Sequence, residues 1–222
     1  GLKDLDGDVT FITAELVTQN KIQFPAMYNL FRAPGGKPIH PAGFVRASMS
    51  IPVFFESYMI TDIDCNSAAI REAWQHTFYE SDPPSTARFV DGGILSNFPI
   101  NLFYNPSIRT PRLPTFGIDL DDSDPDDKAK NPFSWSALGY FGRVFNTIRF
   151  YYDKDFLLKN HMYQKGVGSI PLQEFKWLNF FLSNQDKMDM FIRGAEAATQ
   201  FLADFNWDDY KAAQTQARKS LS

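Results

Sequence analysis

The chain has 222 residues, with 22 Lys plus Arg against 26 Asp plus Glu and a formal net charge of −4. That balance lacks the basic footprint of a nucleic-acid binder, and 44% hydrophobic with 22% charged residues excludes disorder or fibrous repeats as descriptions of the whole. One cysteine, Cys65, excludes an intrachain disulfide and leaves no thiolate cluster for zinc.

No uncharged apolar run approaches the ~18–20 residues needed to cross a bilayer. The chain begins Gly1-Leu2-Lys3-Asp4 without Met, which reads as a processed terminus or a piece of a longer protein. Any targeting signal would then lie upstream.

Val9 through Leu16 is rich in β-branched and aromatic residues and reads as a strand. Thr18-Gln19-Asn20 punctuates it, and Lys21-Ile22-Gln23-Phe24 alternates as a second strand does. Pro34-Gly35-Gly36 is a loop. Pro41 suits the first turn of a short helix carrying Phe44, Val45 and Met49, which Pro52 ends. Residues 61 to 87 read as a helix plus a surface excursion at Pro83-Pro84. Arg88-Phe89-Val90 is a short strand running into Asp91-Gly92-Gly93, and Pro114 through Leu120 is another.

Asp119, Asp121, Asp122, Asp124, Asp126 and Asp127 crowd one loop. A calcium loop needs Gly at its turn and Glu at its twelfth position, where Lys130 stands, so a solvated acidic loop is expected. Phe133 to Tyr152 is dense in aromatics, with Trp135, Leu138, Phe141, Phe145, Ile148 and Tyr152 at helical spacing. Core packing is its first reading and a face for acyl chains or a membrane interface its second. Met188, Phe191, Ala195, Ala198, Leu202 and Phe205 form one apolar stripe, and Ser183 with Asp186 supplies a capping box. This stripe is expected to pack against the sheet, so that Asp at Phe191 would destabilise the domain. A frayed polar tail is expected over residues 211–222.

Alternating strands and helices indicate an α/β layered architecture with a mostly parallel central sheet. Ligands collect at the carboxyl ends of such strands, where Asp91 falls. Asp-Gly-Gly alone is a turn signal, but its surroundings add to it. The stretch Phe89-Val90-Asp91-Gly92-Gly93-Ile94-Leu95-Ser96-Asn97-Phe98-Pro99-Ile100 follows Arg46-Ala47-Ser48-Met49-Ser50-Ile51-Pro52 at about forty residues' distance. This ordered pair resembles the patatin-like phospholipases, and the likeness spans roughly residues 1 to 120, returning at Gly194 through Trp207.

The resemblance implies a three-layer α/β sandwich, incomplete at its N-terminal side, in which residues 1–210 are the C-terminal part of one domain. It implies a lipid acyl hydrolase working by a Ser–Asp dyad, with Asp91 as the catalytic carboxylate and Gly92 and Gly93 as its supporting turn. The family's Gly-x-Ser-x-Gly elbow and glycine-rich oxyanion loop occur nowhere in these 222 residues. The chain thus holds the base and no nucleophile. No metal or other cofactor is expected.

The expected partners are a lipid or acyl ester, a membrane surface, and the missing N-terminal part or an oligomer partner; nucleic acid is not expected. A cytoplasmic or peripheral-membrane setting fits these. The alternative is a non-catalytic lipid- or protein-binding scaffold of the same fold.

The chemistry of the base half stands apart from the family. A serine hydroxyl needs a neighbouring base to take its proton as it attacks a carbonyl. A free Asp, with a pKa near about 3.9, is too weak to ionise serine beforehand, so transfer must accompany attack. His40, His76 and His161 lie in no recognisable motif and are read as surface or capping residues, although spacing leaves a Ser-His-Asp triad open. Ser48 and Ser50 are expected to pack a helix, Asn97 to form a turn, and Cys65 to be an incidental thiol.

Overall fold

A computed structural model describes residues 9–33, 39–79, 82–96, 98–103, 110–121, 161–172, 175 and 179–219, together with helical positions 140, 143–144, 147–148 and 151. The chain divides into two compact units: Gly1–Asn97 with Phe145–Tyr152, and Phe98–Val144 with Asp153–Ser222.

In the first unit, β1 (Phe11–Glu15) and β2 (Asn20–Phe24) form a hairpin, with Phe11 opposite Phe24 and Glu15 opposite Asn20. A helix α1 (Pro41–Ser48), a short β3 (Tyr58–Ile60), α2 (Ala68–Phe78) and β4 (Ala87–Asp91) follow. The sheet order is β2-β1-β4-β3, and every pairing in it is antiparallel.

The mostly parallel three-layer sandwich expected from sequence is therefore incorrect. The turn over residues 16–19 is far too short for the crossover that parallel neighbours require. β3 and β4, joined through α2, are also antiparallel, Tyr58 opposite Phe89.

Local chemistry explains each element. Ile22 and Phe24 are buried on β2, and Gln23 between them is not, which is the alternation of a one-sided strand. α1 opens on His40, whose Nδ1 accepts from Ala42 N at 3.2 Å, and Pro41 takes the first helical position. The core is a cluster of rings. Phe24 stacks on Phe44 at 4.8 Å and meets Phe31 and Phe89 at 6.0 and 5.4 Å. Phe31 packs edge-on to Trp74 at 5.7 Å, and the buried indole N–H donates to Leu30 O at 2.9 Å. That bond removes the penalty of burying the donor.

In the second unit, β5 (Gly117–Asp121) pairs in parallel with β6 (Val167–Pro171), Ile118 opposite Gly168. Helix α3 (Asn184–Asp204) and helix α4 (Trp207–Lys219) follow. The capping box is formed as the sequence predicts: Ser183 Oγ accepts from Asp186 N at 3.1 Å, and Asp186 Oδ2 accepts from Ser183 N at 3.0 Å.

The packed face of α3 coincides with the expected stripe at Phe205 but not along its length. Phe201 and Phe205 meet Phe116 at 5.4 and 4.9 Å, and Phe201 closes over Gly168. Met188, Phe191 and Leu202 are exposed instead. The residues after Tyr210 continue α4 to Lys219 rather than fraying. Asn206 Oδ1 caps this helix by accepting from Asp208 N and Asp209 N at 2.9 and 3.0 Å. Of the Phe133–Tyr152 segment, only Tyr140, Arg143, Val144, Thr147, Ile148 and Tyr151 lie among the described residues; the aspartates beyond Asp121 do not.

Candidate functional site

Asp91 is the last residue of β4, directly opposite Thr13 of β1. Antiparallel register, not the switch point of a parallel sheet, puts it there. Its backbone N–H donates to Ser50 O at 3.0 Å, just beyond the end of α1. Its Oδ1 accepts from Gly93 N at 2.6 Å, which makes Asp91 the cap of a 3-10 turn over Gly92–Ile94. Asp91 is half-buried, and the Gly93 bond helps to orient its carboxylate.

Gly92 is required for a steric reason. A Cβ there would lie 2.1 Å from Ile12 O and 2.3 Å from Ile12 C, atoms of a central strand that cannot yield. The glycine lets the chain turn against β1 immediately after the carboxylate. Gly93 contributes its N–H.

Thr13 ties this edge together. It is fully buried, and its Oγ1 lies 2.7 Å from Val90 O and 3.1 Å from Ala47 O, so one hydroxyl joins β1, β4 and α1. Ser48 Oγ donates to Ile12 O at 2.6 Å, and Ser50 Oγ donates to Arg46 O at 2.6 Å. Both hydroxyls are thus committed to backbone carbonyls in helix packing.

His40 caps α1, and exposed His76 stands 3.9 Å from Glu72 on α2. The side chain of His161 and the whole of Asn97 lie outside the described residues. Cys65 is a half-buried free thiol in the turn before α2, with its carbonyl accepting from Arg71 Nε at 2.9 Å.

Sequence reasoning passed over Glu15. Its buried carboxylate accepts from Val17 N at 2.8 Å, Thr18 N at 2.7 Å, Thr18 Oγ1 at 2.6 Å and Arg88 N at 3.0 Å. It therefore closes the β1–β2 turn and fastens it to β4. The one available signal was a charged residue at the end of an otherwise apolar strand, followed by Thr18 three residues on.

On the same sheet, Tyr58 packs beside Arg46, whose guanidinium lies 5.9 Å from the ring centre. Burial pushes the Tyr58 phenol above its ordinary value, with Arg46 pulling it partly back and Tyr28 adding to the rise. Among the described residues, no cluster of His, Cys, Asp and Glu could hold a metal ion. No described helix is long and apolar enough to cross a membrane.

No protein-family model matches the chain, and no solved structure matches it. It is similar to the uncharacterized protein YqhO of Bacillus subtilis (strain 168), with 28% identity over 205 residues that make up 90% of this chain. The chain spans 59% of that relative's length.

Proposed function

We propose that this chain supplies the carboxylate of a Ser–Asp dyad lipid acyl hydrolase, with Asp91 as the base and the serine contributed by sequence outside these 222 residues. The reading rests on the two motifs that resemble the patatin-like phospholipases and not on any sheet arrangement. The observation that carries it is Asp91 itself, half-buried at the end of β4, with its carboxylate aimed by Gly93 N–H and its turn forced by Gly92.

In this reading the serine hydroxyl proton passes to Asp91 as the serine oxygen attacks the ester carbonyl. The tetrahedral intermediate then expels the alcohol, whose oxygen takes the proton back from Asp91. Water repeats the exchange and releases the fatty acid, restoring the serine. Backbone donors outside this chain must stabilise the developing oxyanion, because a carboxylate base alone supplies little of the barrier reduction.

The rival is a binding scaffold without chemistry. The Oδ1 to Gly93 N bond favours it to this extent: an aspartate that only closes a turn makes the same bond.

The experiment is Asp91→Asn in the protein that carries the serine, assayed on a phospholipid and a short-chain ester. Asn keeps the Gly93 contact and removes the base. Turnover is expected to fall ~10³-fold or more with an unchanged melting temperature. Near-normal turnover would leave the scaffold reading.

A further inference from the structure

The peptide unit between Val90 and Asp91 is gripped at both ends. Its N–H donates to Ser50 O at 3.0 Å, and its carbonyl accepts from Thr13 Oγ1 at 2.7 Å. A peptide unit is planar, so two such bonds fix the angle at which the chain enters Asp91. On the exit side, Gly92 lies close against Ile12 of β1, and Gly93 N–H donates to the Asp91 carboxylate at 2.6 Å. Of these holds on the backbone around Asp91, the one from Thr13 is made by a side chain.

Packing does not explain Thr13. It is fully buried on β1, opposite Asp91 on one neighbouring strand and Ile22 on the other. Valine has the same shape and no hydroxyl to take out of water, so packing alone favours valine.

The end of α1 accounts for part of the hydroxyl. Ala47 O, one of the last carbonyls of that helix, lies 3.1 Å from Thr13 Oγ1. The shorter contact, however, goes to the carbonyl that precedes Asp91. A single proton shared by the two carbonyls ties the end of β4 to the end of α1 across β1.

On the dyad reading above, we infer that Thr13 is a positioning residue for Asp91. Its hydroxyl holds the Val90–Asp91 peptide so that the carboxylate meets the attacking serine at one fixed angle. A base set at the wrong angle takes the serine proton poorly, while the substrate still binds. Loss of the hydroxyl therefore falls on the transition state and spares substrate affinity.

The test has two arms. In the full 222-residue chain, hydrogen exchange at the Asp91 amide is compared among the parent, Thr13→Val and Thr13→Ser. The Leu16 amide, which donates to Arg88 O at 2.8 Å, serves as the reference within the same sheet. In the protein that carries the serine, the same variants and Asp91→Asn are assayed on a short-chain ester, well below their melting temperatures.

Thr13→Val is expected to speed exchange at Asp91 about tenfold relative to Leu16. It is expected to lower kcat about ten- to a hundredfold with KM unchanged, while Thr13→Ser keeps kcat within about threefold of the parent. A packing role gives the reverse order, because serine loses the methyl and valine keeps the volume. Thr13→Ser and Thr13→Ala, which differ only in the hydroxyl, repeat the comparison at smaller volume.

Equal kcat in Thr13→Val and Thr13→Ser would overturn the positioning role and leave the dyad intact, as would a rise in KM alone. An unchanged Asp91 amide in Thr13→Val would overturn the grip on the peptide whatever the kinetics. Normal turnover in Asp91→Asn would overturn the dyad, and with it any catalytic use of Thr13. A faster Asp91 amide in Thr13→Val would still show that the hydroxyl holds this turn.

Discussion

The unit built on β1–β4 and the unit built on β5 and β6 place their apolar side chains differently. In the first, Phe24, Phe31, Phe44, Trp74 and Phe89 are sealed into one cluster by a four-stranded sheet and two helices. In the second, a pair of parallel strands carries exposed Ile118 and Leu120, and α3 has no fully buried residue among its 21. Parallel strands are ordinarily covered on both faces. Among the described residues, the first unit encloses a ring cluster, whereas the second buries only scattered side chains such as Ile100, Leu172 and Tyr210.

Truncating the ring cluster tests the first half of that comparison and carries the largest expected effect. Phe24→Ala removes the ring that stacks on Phe44 and meets Phe31 and Phe89. It should cost about 3–5 kcal/mol, read from denaturant unfolding, because the enclosed site cannot collapse around the void. A cost below ~1 kcal/mol would mean the cluster is looser than its geometry indicates.

Glu15→Gln addresses the polar side of the same enclosure. Four donors converge on the carboxylate, and an amide would turn its own NH2 group toward some of them. A loss of about 2–3 kcal/mol is expected, since charge-assisted bonds are broken and buried donors are left unmade. The same variant should protect fewer amides at Val17, Thr18 and Arg88 from hydrogen exchange. Normal protection at all three would show that Glu15 is dispensable to the turn.

Much of the first unit was legible because its signals are local. Alternation in Lys21–Phe24, Pro41 after His40, and the Ser183–Asp186 box of the second unit each mark an element by its own chemistry. Strand direction was not legible, because it is set by which strands meet and both outcomes share one hydrophobic pattern. Three-residue β3 is too short for a period, and Gly168-Ser169 inside β6 imitates a turn.

Helix α4 lacks an apolar stripe and is anchored by the Asn206 cap and by Tyr210, whose hydroxyl accepts from Thr115 N at 3.0 Å. A reading based on hydrophobic periodicity therefore passes it by. The turn that Asp91 caps and the need for Gly92 in it followed from the motif. Glu15 did not, because its link to β4 comes from Arg88 N, far away in sequence.

The face of α3 is the remaining contrast, and Phe191 decides it. The 3,4 spacing from Met188 to Phe205 is a sound signal of an amphipathic helix, yet periodicity cannot say which part of an apolar arc a neighbour will cover. Here Phe116 and Gly168 meet the arc at Phe201 and Phe205, and Phe191 is left 74% exposed. Phe and Asp have similar helix propensities, and an exposed carboxylate carries no desolvation cost. Phe191→Asp should therefore change stability by no more than about 0.5 kcal/mol, with the molar mass from light scattering unchanged. A loss of several kcal/mol would mean that this face is covered in solution. A fall in mass on the same substitution would identify the cover as another copy of the chain, and the two units would then differ only in where their enclosure comes from.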